Sequence, residues 1–75
     1  MDVVLSDKLW IVEWIPHRES YRISKFADPD KAIAYEDNWE EAVHQIRQNY
    51  TIDNLIIFIR KEDGSVNYYC DSDYV

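Results

Sequence analysis

Nucleophilic chemistry needs a thiol or hydroxyl within hydrogen-bond reach of a base, and this chain offers it in one form, Cys70 with His17 or His44. Asp71 and Asp73 follow Cys70, and their negative charge disfavours the thiolate that would act as nucleophile. His44 stands one helical turn after Glu40 and Glu41, where a carboxylate and an imidazolium form an ordinary surface pair. His17 lies beside Arg18 and Glu19, and neither neighbour gives it a chemical role. Asp28 and Asp30 begin like a calcium loop, but Ala32 occupies the next ligand position and the loop glycine is missing. Gly64 is the only glycine, so no glycine-rich loop can cradle a phosphate. The residues point to a non-enzyme without catalytic, metal or cofactor site.

Recognition chemistry is better supplied. Glu36, Asp37, Glu40 and Glu41 crowd the start of a helical segment, with Asp28 and Asp30 not far upstream. Acidic side chains in a first helical turn are favoured by the helix dipole, at about 0.3–1 kcal/mol each, which accounts for Asp37, Glu40 and Glu41 without any partner. The same carboxylates, presented as a strip, would imitate the charges of a nucleic-acid backbone before a basic groove on another protein. Trp10 and Trp14 share one side of an extended segment, and they either pack beneath the helix against Trp39 or face away as an apolar patch for a partner.

Composition narrows the class. The 75 residues carry fifteen Asp and Glu against eight Lys and Arg, a net charge of −7 that opposes direct binding to nucleic acid or to anionic membranes. Eleven aromatic side chains among 47% hydrophobic residues are enough for a packed core, so disorder is not expected. A lone cysteine cannot make an internal bridge, and the first residues are acidic where a signal peptide is basic. A cytoplasmic protein is expected, with residues 1–75 as a single domain and residues 1–7 and 71–75 as frayed termini.

The elements that must position these groups follow from periodicity. Leu9 to Ile15 is β-branched and aromatic and stops at Pro16; Tyr21 to Phe26 alternates; together they read as a hairpin. Asp28-Pro29-Asp30 is a turn, and Lys31 to Glu36 reads as a short strand whose alanines leave a helical turn open. Asp37 or Asn38 caps a helix in which Trp39, Ala42, Val43, Ile46 and Tyr50 share one face, with Ile52 folding back beyond it. The continuous apolar run Leu55 to Arg60 reads as the central strand, and Asp63-Gly64 turns the chain into Val66 to Cys70. The expected fold is α+β, a small antiparallel sheet of four to five strands with one helix packed on one face, in the order β-β-(β)-α-β-β.

These readings converge on a small acidic protein-binding module. Glu36, Asp37, Glu40 and Glu41 would carry its electrostatic contact and Trp10 and Trp14 its apolar contact. In size and charge the chain is similar to compact acidic phage proteins that disable host defence, among them restriction inhibitors and some anti-CRISPR proteins. That likeness implies an inhibitor occupying a nucleic-acid-binding surface in the cytoplasm of a bacterial host, and it attaches to no motif in the chain. The rival reading is a structural or regulatory homodimer assembled through the sheet and its aromatic face.

Overall fold

A computed structural model describes residues 8–49 and 55–70. Among them are β1 (Leu9–Ile15), β2 (Ser20–Lys25), β3 (Ala34–Glu36), helix α1 (Trp39–Asn49), β4 (Ile56–Arg60) and β5 (Val66–Cys70). The order β-β-β-α-β-β and the α+β class agree with the sequence reading, and residues 34–36 resolve the open choice in favour of strand. The frayed termini, and the places of Tyr50 and Ile52, lie outside the described residues.

The five strands form one sheet in the order β3-β2-β1-β4-β5. Two expectations need correction here. The sheet is mixed, because β1 and β4 run parallel while all other neighbours are antiparallel. Its middle strand is β1, with β4 one place further out. Both results have one cause: β3, antiparallel to β2, ends where β1 ends, and α1 must carry the chain back across the sheet before β4 can begin beside the start of β1.

Local chemistry explains the joints. Asn38 caps α1, its side-chain oxygen accepting the Glu41 amide at 2.9 Å. Between β1 and β2 the chain turns through Pro16 to Glu19, and Glu19 takes φ 52° while its amide donates to the Ile15 carbonyl at 2.9 Å. Between β4 and β5, Gly64 adopts φ 90°, a conformation that a side chain would strain. Asp63 locks this second turn by accepting from both the amide and the hydroxyl of Ser65, at 2.9 and 2.7 Å. Those bonds stabilise the carboxylate and hold the Asp63 pKa below its ordinary value.

Alternation along the strands gives the sheet two faces. Cross-strand partners put Trp10, Val12 and Trp14 of β1 on the same side as Tyr21 and Ile23 of β2 and Ile57 and Ile59 of β4. That side is closed by Ala42, Val43 and Ile46 of α1, and Leu55 completes the core. Ala34, Trp39 and Tyr69 pack at its margin together with Trp14.

Candidate functional site

The direction of β4 decides which charges meet. Glu36 ends β3 opposite Tyr21, and Asp37, Glu40 and Glu41 continue from it into the first turn of α1. Because β4 is parallel to β1, the β4–β5 turn arrives at the same end of the sheet. Two contacts tie it there: the Tyr21 hydroxyl accepts the Glu62 amide at 3.1 Å, and the Lys61 ammonium lies 4.8 Å from the centre of the Trp39 ring. Glu62 and Asp63 therefore join Glu36, Asp37, Glu40 and Glu41 in one carboxylate-rich end. In the sequence Glu62 and Asp63 are only turn residues, and nothing local assigns them to this group. Asp28 and Asp30 leave it, since they follow β2 at the opposite end, where the Phe26 amide donates to the Leu9 carbonyl.

Glu40 and Glu41 are exposed, as is Asp37, while Glu36 is half-buried at the sheet edge. Positive side chains stand at this end too, Arg18 in the β1–β2 turn and Lys61 beside Glu62, and the Lys61 charge helps to lower the Asp63 pKa. Arg22 and Arg60 both bond Glu13, at 3.1 and 3.3 Å. Arg18, Lys25, Arg47 and Lys61 lie over the rings of Tyr35, Trp10, Tyr69 and Trp39 respectively. At least six of the eight basic residues are thus held by Glu13 or by an aromatic ring. Both ion pairs among the described residues belong to Glu13.

The tryptophans take the first of the two arrangements open to them. Trp10 is 1% exposed under the helix, and Trp14 packs at the core margin, edge-to-face on Tyr21 with ring centres 5.1 Å apart. Trp10 therefore has no surface to offer a partner. Burial of so large a ring on the helix side outweighs its display, because it removes about 150–250 Å² from water.

The aromatic surface stands on the opposite face, over which no described helix lies. Phe58 touches Phe26 on one side and Tyr68 on the other, each with ring centres 5.9 Å apart. Phe26 and Val66 are exposed, and Tyr68 is 71% exposed. Across the middle of this face runs the row Arg22, Glu13, Arg60, made by cross-strand neighbours on β2, β1 and β4. The period-two alternation of Tyr68 against Tyr69 already placed one of the two rings away from the helix, whereas β4, apolar on both sides, gave no such sign for Phe58.

The residues considered for nucleophilic chemistry are dispersed. His17 follows β1 at the carboxylate-rich end, whereas Cys70 pairs with Ile56 at the other end of the sheet. His44 is exposed midway along α1. Compared with protein-family models, with curated proteins and with solved structures, the chain matches none.

Proposed function

We propose that this chain is a non-enzymatic protein-binding module that sets its carboxylate-rich end against a basic surface of another protein. The observation that carries the reading is the gathering of Glu36, Asp37, Glu40 and Glu41 with Glu62 and Asp63 at one end, where they outnumber the cations Arg18, Arg60 and Lys61. Exposed carboxylates on a rigid helix start and a rigid turn present negative charge at fixed spacing, as a nucleic-acid backbone does. A protein of this kind acts as an inhibitor by occupying the groove where its partner binds nucleic acid, the mode its size and charge share with phage proteins that disable host defence. In that setting it works in the cytoplasm of a bacterial host. Net negative charge speeds the encounter through long-range attraction, and salt slows it.

Charge reversal tests the reading. The protein and its Glu40→Lys, Glu41→Lys double variant are used as bait in bacterial lysate at low salt, and the association kinetics of any retained protein are measured with purified components. The expected result is a partner whose on-rate drops about tenfold or more with the double variant and with added salt, at unchanged circular dichroism. Equal on-rates for the two baits at low ionic strength would sink the reading.

A further inference from the structure

We propose that the outer edge of β5 is a docking site for an extended peptide segment of another protein, one with an uncharged core flanked at both ends by lysine or arginine. The inference does not rest on the helix start, because Glu36, Asp37, Glu40 and Glu41 take no part in it.

The hydrogen-bond ladder fixes what the edge offers. β5 closes one side of the sheet, beside β4. The Lys61 amide donates to the Ser65 carbonyl at 2.8 Å, which makes these two a bonded pair at the turn end of the β4–β5 ladder. Bonded pairs alternate along an antiparallel ladder, so Asn67 and Tyr69 turn their backbone groups toward β4. Val66, Tyr68 and Cys70 turn theirs outward, and the backbone groups of Tyr68 meet no partner among the described residues.

The two edges of the sheet differ in protection. An unpaired edge invites a further strand, and proteins blunt such edges with prolines, charges, bulges or short strands. The other edge, β3, is three residues long, follows Pro29 and Lys31, and has Arg18 laid over its Tyr35 at 3.7 Å from the ring centre. β5 has none of these devices. Val66–Cys70 carries no charge and no proline, and its pairing with β4 runs without a bulge from Arg60 opposite Val66 to Ile56 opposite Cys70. Val66 and Tyr68 are 60% and 71% exposed. An added strand gains backbone bonds along β5 and sets alternate side chains beside these two.

Charge selects the occupant. Glu62 and Asp63 stand exposed just before β5, and Asp71 and Asp73 follow it in the chain. Of the cations beside the turn, Arg60 reaches toward Glu13 on β1 and Lys61 toward Trp39 on α1. A second copy would bring the same carboxylates with it. Antiparallel pairing about Tyr68, the register that matches every outward residue of both copies, sets each Asp63 opposite the other copy's Asp73. A strand with lysine or arginine at both ends meets these carboxylates with cations whichever way it runs, and the net charge of −7 attracts it.

Nuclear magnetic resonance titration of the isotope-labelled full chain tests the proposal, at about 0.15 M salt so that distant charges are screened. The probe is the synthetic peptide acetyl-Lys-Arg-Thr-Val-Thr-Val-Thr-Lys-Arg-amide. One control is the same peptide N-methylated throughout its core, and another carries glutamate in place of each lysine and arginine. The basic peptide is expected to shift the Val66 and Tyr68 amides and to slow exchange of the Tyr68 amide, and both controls to bind at least tenfold more weakly. Tyr68→Pro removes an outward donor while leaving the bonds to β4, and should also weaken binding at least tenfold, with circular dichroism to check its fold. The Glu40→Lys, Glu41→Lys variant should bind the peptide as the wild type does, which separates this edge from the helix-start contact. Absence of any shift with the basic peptide up to about 1 mM overturns the proposal. Equal binding by the N-methylated peptide or by the glutamate peptide overturns it as well. Concentration-dependent shifts at Val66 and Tyr68 without peptide would overturn it in favour of a second copy.

Discussion

The two faces of the sheet are built from similar residues and put to opposite uses. On one, Trp10, Val12, Ile23, Ile57 and Ile59 are closed off by Ala42, Val43 and Ile46 of α1. On the other, Phe26, Phe58, Tyr68 and Val66 have no helix over them among the described residues, and a charged row interrupts the apolar surface. Aromatic content does not separate them; coverage does. Among the described residues α1 alone lies over the sheet and closes one face, and exposed side chains such as Tyr68 on the other stay available for contact.

The comparison is sharpest in a pair of truncations. Trp10→Ala empties the largest buried side chain and should cost ~3–5 kcal/mol, enough to consume much of a total stability near ~4–11 kcal/mol. Tyr68→Ala, on the face opposite α1, should stay within ~0.5 kcal/mol when urea unfolding is followed. Comparable losses for the two would mean that this opposite face is as structural as the core.

The helix that closes the first face depends on its cap. Asn38→Ala leaves the Glu41 amide without its acceptor and should lower stability by about 1 kcal/mol. Thermal melts of the variant and of Asn38→Asp, which keeps an acceptor, check this: the aspartate variant should lose little.

A smaller effect of opposite sign is expected at Ser24, whose buried hydroxyl on the side opposite α1 finds no hydrogen-bond partner. Ser24→Ala removes that oxygen and should be neutral or stabilising by up to ~1 kcal/mol. A clear loss of stability in urea titration would show that the hydroxyl is satisfied in solution.

The smallest effect concerns the turn that completes the carboxylate-rich end. The Asp63 pKa is held below its ordinary value by the Ser65 hydroxyl and amide. For a carboxylate lowered in the folded state, the stabilisation is fully present above the unfolded value and is lost as pH falls through the folded one. Carboxyl NMR titration should therefore show Asp63 releasing its proton below the ordinary value of 3.8, and Ser65→Ala should move it back up.

Much of this architecture could be read from residue patterns. β5 has the bounds expected of it, β1 likewise, and α1 begins one residue after one of its two candidate caps. Each is a local matter: β-branched runs, a three-to-four apolar spacing and an Asp-Gly turn act within a few residues. The candidate site was less readable. Asp37, Glu40 and Glu41 follow from the helix start, but Glu62 and Asp63 belong with them only because β4 runs parallel to β1. Had β4 been antiparallel to β1, the same turn would lie at the other end, beside Asp28.

By itself the sequence determined the elements, the α+β class and the large excess of carboxylates, since propensity, periodicity and charge are properties of short stretches. Only the tertiary structure decided that Trp10 goes inside while Phe58 and Tyr68 look outward, and that two separate groups of carboxylates meet. β1 and β4 are apolar on both sides, so alternation alone cannot say which side the helix will cover. That choice is made by the crossover through α1, an arrangement of the whole chain that no single segment encodes.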